Sequence, residues 1–342
     1  LGLALHCEIE RNNYFARKNY FYPDLPKGYQ VSQHTAPICK GGYITVSTAE
    51  GKNNIQLNRI HLEEDAGKSI HDIDPGYTCI DLNRAGVPLL EIVTEPCIHS
   101  AAEAFAFLTE LRKTVRWLDV CDGNMEEGSM RCDANISIRL KGSTTLGKRV
   151  EVKNLNSIRN VKKAIEIEQE RLIAIAERNE TVIQETRSFD ADKNITFSLR
   201  SKEEADDYRY FPEPDLPPFD VSNEYIENIR RSMPELPEQL KEKYITQFSL
   251  TEYDASVICN DKDDADFFSA LIKYSTHYKS AANWMLGPLK FYCNENNISI
   301  GSFPLQPSTV AALIELTESG KVNFSNASTK ILQHLIKEPD TT

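Results

Sequence analysis

Several absences narrow the reading of this 342-residue chain before any motif is considered. There is no Cys-X-X-Cys pair. The eight cysteines, at 7, 39, 79, 97, 121, 132, 259 and 293, are scattered and mostly sit in apolar context. That excludes a disulfide framework or a zinc site of the usual spacing, and predicts reduced thiols in a cytoplasmic protein. No apolar run reaches the length of a membrane span, and no basic segment followed by an apolar one stands at the start. Positive charge is in deficit: 39 Lys and Arg against 51 Asp and Glu leave −12. This argues against broad nonspecific binding to nucleic acid, although it leaves room for a local basic groove. No Gly-X-Gly-X-X-Gly follows a strand pattern, and no internal repeat is visible. What remains is a globular composition, 40% hydrophobic and 26% charged, in a chain long enough for two or three domains.

Residues 1–60 read as strand-rich, with strong alternation at Tyr43–Ser47. The opening Leu1–Leu5 has β-type apolar character and no Met, so a missing neighbouring strand is expected. Helical period returns at 100–118, where Ser100 with Glu103 forms a capping box and Phe105, Leu108, Leu111, Val115 and Leu118 make one stripe. Asn156 or Ser157 caps a second helix to about Glu177, with Val161, Ile165, Leu172 and Ile175 inward. The Pro-, Asp- and Arg-rich stretch 188–218 reads as an ordered loop region. Helices follow at 234–247, 251–259, 265–274 and 280–294, then a helical hairpin at 307–337. Its apolar positions Val310, Leu313, Ile314, Ile331, Leu332 and Leu335 exceed what two short helices bury against each other.

The segment 125–157 organises the rest. At period two, Cys132, Ala134, Ile136, Ile138 and Leu140 share one face, and Arg131, Asp133, Asn135, Ser137 and Arg139 the other. Val150 and Val152 then face in, and Arg149, Glu151 and Lys153 face out. An antiparallel pair with a solvated, ion-paired face accounts for the alternation alone. The flanks, with two carboxylates before Gly128 and Lys-Asn-Leu-Asn-Ser opening a helix, suit a phosphate-bearing ligand better. Gly142–Lys148 has P-loop spacing, but Arg149 replaces the magnesium-binding hydroxyl and the loop joins two strands, so it reads as a hairpin turn.

Other candidates are weaker. Glu63, Glu64 and Asp65 follow His61, and Glu91 lies among Leu89, Leu90, Ile92 and Val93; hard cations take such carboxylates, and a surface acidic run is the plainer alternative. Glu91 is costly in apolar surroundings without a counter-charge or metal. Asn83 and Arg84 in the Asp81–Pro88 turn suit turn structure or substrate equally. Arg187, Arg200, Lys202 and Arg209, interleaved with Tyr208, Tyr210 and Phe211, suit nucleotide contact or simple loop packing.

Seven ordered segments carry a family resemblance: 17–33, 61–71 (HLEEDAGKSIH), 81–96 (DLNRAGVPLLEIVTEP), 122–139, 151–157 (EVKNLNS), 185–187 and 200–218 (RSKEEADDYRYFPEPDLPP). They resemble the B subunit of aspartyl/glutamyl-tRNA amidotransferases over essentially the whole chain to about residue 218. The resemblance implies an α+β fold: a cradle-shaped catalytic domain of mixed and antiparallel sheet (1–232), a helical domain (233–300) and the start of a tRNA-binding tail (301–342). It implies ATP-dependent amidation of misacylated Glu-tRNA(Gln) or Asp-tRNA(Asn), by phosphorylation of the side-chain carboxylate and displacement by ammonia. The ammonia comes from a glutaminase A subunit, and a C subunit completes a heterotrimer. It places Mg²⁺ on Glu63 and Glu91. The family's opening strand, of the type VGLEVH, and the end of its tail are expected to be missing here.

The expected catalytic residues are therefore Glu63, Glu91, Arg131, Asp133 and Lys153. Expected substrate or nucleotide contacts are His61, Lys68, Asn83, Arg84, Glu127, Asn135, Glu151, Asn154, Arg187, Arg200, Lys202, Tyr208 and Arg209. Two other functions compete: a metal-dependent RNA phosphodiesterase, which needs more clustered carboxylates and no ATP, and a non-catalytic tRNA-docking subunit, which leaves the polar hairpin faces without a use.

Overall fold

The computed structural model describes residues 1–74, 76–201 and 208–338. The chain forms two compact units, one of residues 1–115 and 120–233, the other of residues 116–119 and 234 onward. The fold is α+β. All eight cysteines are free thiols.

The first unit is built on the 14-residue strand Gly51–Glu64. Its first half pairs with Tyr43–Thr48 and its second with Pro88–Thr94, both antiparallel. Cys39–Lys40 continues the Tyr43–Thr48 ladder along the edge opposite Pro88–Thr94, and Tyr29–Ser32 joins that same edge, followed outward by Ala16–Asn19 and Arg209–Pro212. A register shift at Val93/Thr94, with Val93 opposite Arg59 and Thr94 opposite Leu57, inserts one extra residue into the long strand. A bulge of this kind reverses which side chains face which side. Ile55 and Leu57 before it, and Ile60 after it, all enter the core. His61 and Glu63 consequently face the other way.

A second sheet runs in the order Ala134–Ile136, Val150–Lys153, Glu185–Asp190, Ile195–Ser201. Its middle pair is parallel, as a crossover through the helix Ile158–Glu177 requires, and its outer pairs are antiparallel. Ser157 caps that helix by accepting from the Asn160 amide. Val150 and Val152 are fully buried beneath it. The ladder stops at Ile136, and Leu140, expected on the inward face, is exposed.

Several expectations are corrected. The start of the expected loop region belongs to an antiparallel strand pair spanning residues 185–201. Leu1–Leu5 is not a strand: the Leu5 amide donates to the Leu1 and Gly2 carbonyls, so these residues turn, with Ala4 and Leu5 buried. At the helix Ala101–Trp117, Ser100 Oγ does accept from the Glu103 amide, while the Glu103 carboxylate accepts from the His99 amide, and Phe107 is buried where Phe105 is exposed.

The second unit is helical, running through Pro237–Thr246, Glu252–Ile258, Lys262–Leu271, a continuous helix from Tyr278 to Glu295 and Pro307–Glu318. A turn of π-helix at Met285–Leu289 accommodates Pro288, whose missing N–H cannot complete an α-helical ladder. Val310, Leu313, Ile314 and Leu332 are buried with Phe268, Leu271, Ala281 and Met285 in one cluster. The apolar excess of the terminal hairpin is thus covered by the preceding helices. Packing is continuous across residue 301.

Candidate functional site

The bulge sets up a polar sheet face. In ladder register, Glu91 lies opposite His61, Glu63 opposite Ser32, and Gln30 opposite Lys18, which lies opposite Tyr210. One face therefore carries these polar side chains where the opposite one carries Ile60, Ile92 and Cys39. The His61, Glu63 and Glu91 ligand atoms all lie within 4.8 Å of one another. His61 Nε2 is 2.8 Å from Glu63 Oε1 and 3.8 Å from Glu91 Oε2. His61 and Glu63 are buried, but the Glu91 side chain is 46% exposed, so the desolvation argument made for it from its apolar neighbours does not hold.

These donors fit a divalent cation. Two carboxylates converge with an imidazole, and among the described residues no Lys or Arg forms an ion pair with either carboxylate. The buried Nδ1 of His61 has no hydrogen-bond partner. Burial pushes the Glu63 carboxyl up, yet the His61 and Ser32 hydrogen bonds and the Lys18 charge outweigh it and hold it below its ordinary value. It is thus kept in the ionised, ligating form. An imidazole beside two carboxylates suits Mn²⁺ as well as Mg²⁺.

Strand Gly51–Glu64 ends one residue before Asp65, a buried carboxylate that accepts from Arg131 Nη2 at 2.7 Å. Arg84 Nε stands 3.9 Å from the same carboxylate and Nη1 donates to the Gly128 carbonyl at 2.9 Å. Gly128 has φ +80, and a Cβ there would strike the Arg84 guanidinium, so only glycine admits this contact. Arg131 thereby ties the first sheet to the second, whose strand Ala134–Ile136 it precedes. There Lys153 Nζ lies 2.6 Å from Asp133 Oδ2 and 3.4 Å from Glu151 Oε1. Burial pushes the ammonium down, but the two carboxylates reverse this and raise it above the ordinary lysine range. Glu151 accepts from Thr186, and Asn154, at φ +64, donates to Ser188 at 2.6 Å. Asn135, opposite Glu151, is exposed on this face.

Comparison with known proteins decides the family. Residues 1–227 match the GatB/GatE catalytic domain, and residues 266–342 match the GatB domain. The chain belongs to the GatB/GatE catalytic-domain family. It is 47% identical over 340 residues to the B subunit of the aspartyl/glutamyl-tRNA(Asn/Gln) amidotransferase of Chlorobium phaeobacteroides, covering 99% of this chain and 71% of that protein. The corresponding protein of the same name from Persephonella marina is 48% identical over 337 residues, covering 98% of this chain and 70% of that protein.

Within this GatB-type unit the remaining expected residues scatter. Arg187 lies on the far side of the second sheet: Nε is 3.0 Å from Glu168 Oε1, Nη1 2.7 Å from Glu185 Oε1, and Nη2 donates to the Thr196 carbonyl at 2.8 Å. Its guanidinium is occupied under the helix as part of a buried ion network. Asn83 closes its own turn by donating to Asp81. Lys68 and Glu127 are exposed outside either cluster. Tyr208 packs edge-on to Tyr20, with Lys18 Nζ 4.7 Å above its ring, while Arg209 is exposed opposite Asn19. Arg200 pairs through its backbone with Thr186, and Lys202 lies outside the described residues. Sequence reasoning missed Lys18, Gln30, Ser32 and Glu168. A polar residue at every inward position of Tyr29–Ser32 was the available signal for two of them. Among the described residues no helix is long and apolar enough to cross a membrane.

Proposed function

We propose that this chain is the ligase subunit of a cytoplasmic tRNA-dependent amidotransferase, acting with a glutaminase A subunit and a C subunit on Glu-tRNA(Gln), Asp-tRNA(Asn) or both. The carrying observation is the convergence of His61, Glu63 and Glu91 on a polar sheet face linked through Asp65–Arg131 to Lys153. The substrate carboxylate oxygen attacks the γ-phosphorus of ATP and ADP leaves; ammonia nitrogen then attacks the acyl carbon, phosphate leaves, and the amide remains. Phosphoryl transfer asks mainly for positioning and charge neutralisation, not covalent help. Glu63, Glu91 and His61 would hold Mg²⁺, which when bound supplies charge neutralisation at the phosphates. Lys18, Arg131 and Lys153 offer cations for the remaining oxygens. Arg131 and Lys153 are each already oriented by a carboxylate, so they bind phosphate as aimed donors. The polar hairpin face then contacts ligand, and the division at residue 301 separates tRNA-docking duties and not packing.

The test is phosphate release from ATP by the reconstituted heterotrimer. Release should require misacylated tRNA and disappear in Glu91→Gln, while glutamine hydrolysis by the A subunit stays measurable. ATP turnover indifferent to the aminoacyl group, or full amidation by Glu91→Gln, would overturn the assignment.

A further inference from the structure

Strand Tyr29–Ser32 contradicts the ordinary rule for a strand with one buried face. Its inward positions are Gln30 and Ser32, 6% and 1% exposed. Burying an amide and a hydroxyl is unfavourable unless each finds a partner, and apolar side chains would pack there at no such cost. The partners converge on one group. Gln30 Nε2 donates to Glu63 Oε2 at 2.9 Å and to the Glu64 carbonyl at 2.6 Å, and Ser32 Oγ donates to Glu63 Oε1 at 2.8 Å. Both partners of the Gln30 nitrogen are pure acceptors, so its amide takes only this orientation and its oxygen receives the Tyr20 hydroxyl at 3.0 Å.

We propose that Gln30 and Ser32 are positioning residues that fix the plane of the Glu63 carboxylate for an incoming divalent cation, with Tyr20 locking the Gln30 amide. This rests on the reading of His61, Glu63 and Glu91 as the cation site. A carboxylate offers about four acceptor directions. Ser32 donates to Oε1 and Gln30 to Oε2, which leaves one direction on each oxygen, the one on Oε1 facing His61 Nε2 at 2.8 Å. The donors Gln30 and Ser32 are neutral. They order Glu63 without cancelling its charge, as an arginine in the same place would. Ordering the ligand beforehand removes an entropic cost from binding.

The experiment titrates Mn²⁺ alone into the full chain and reads bound ion by electron paramagnetic resonance, with thermal melting in parallel. Wild type should bind and Glu91→Gln, which loses a ligand, should not. Gln30→Met and Ser32→Ala should each weaken binding about 10- to 100-fold, the range for donors that orient a metal ligand. Tyr20→Phe keeps the ring and deletes only the hydroxyl, so a smaller weakening at unchanged melting temperature is expected; with Ser32→Ala it decides the matter should Gln30→Met fail to fold. Wild-type affinity in Ser32→Ala and Tyr20→Phe, with Glu91→Gln still defective, overturns the positioning role alone: the two side chains are then satisfied core groups. No Mn²⁺ binding by wild type overturns the cation site and this inference together.

Discussion

Arg187 is assigned different work by its sequence context and by its surroundings, and the difference can be measured. Its side chain is 11% exposed and bonds to Glu168, Glu185 and the Thr196 carbonyl. Arg187→Met keeps most of the stem and deletes every one of these contacts. Glu168 is fully buried, so its charge must be matched. Arg171 continues to grip it through Nε at 3.0 Å and Nη2 at 2.8 Å. The loss is therefore placed at about 3 kcal/mol, the low end for breaking a buried pair. Adding Glu168→Met removes the under-compensated carboxylate, so the double variant should lose less than the sum, by about 1–3 kcal/mol. The probe matters. Both tryptophans, Trp117 and Trp284, lie in the helical unit, so their fluorescence does not report on this sheet. Denaturant titration followed by thiol labelling at Cys7, Cys39 and Cys132 does. An Arg187→Met chain that unfolds at the wild-type midpoint but no longer binds ATP would refute the reasoning and return Arg187 to the ligand. Strict additivity in the double variant would refute the network.

Leu172→Ala, at a fully buried position on the helix over the second sheet, should cost about 3–5 kcal/mol, whereas Leu140→Ser, at an exposed position, should stay within about 0.5 kcal/mol; thiol-protection midpoints compare the two. The Arg17 guanidinium, bonded twice at 2.8 Å, holds the Glu213 carboxyl below its ordinary 4.5. A depressed carboxyl contributes stability above its unfolded value and loses it as pH falls through the folded one. The stability gap between wild type and Glu213→Gln should therefore be full near neutrality and shrink below about pH 4.5, and a gap unchanged to about pH 3 would count against the pair.

What can be read from the sequence follows from where each residue's partners lie. Ser100 caps through Glu103, and Val150 and Val152 alternate on one short strand; both signals are local, and both appear in the structure. Strand Glu185–Asp190 carries no apolar period, and the alternation of Ile195–Ser201 puts its apolar residues on the exposed side, which is why the pair does not read as sheet with a buried face. Thr186 and Ser188 are buried at 1% and 3%, and the exposed side of the second strand carries Ile195, Phe197 and Leu199. The pattern is inverted because polar side chains are satisfied by distant groups: Thr186 by Glu151, Ser188 by Asn154, Thr196 by Glu168. Gln30, Ser32 and Glu168 escape notice for the same reason. Glu63 and Glu91 stand out in the sequence, but what brings them to one face is the ladder register and the bulge at Val93/Thr94, which no single strand encodes. Without the extra residue, His61 and Glu63 would share a face with Ile55 and Leu57, and the two carboxylates of the site would be buried in the core. One inserted backbone position, invisible to alternation counting, thus decides whether this sheet has a polar face at all.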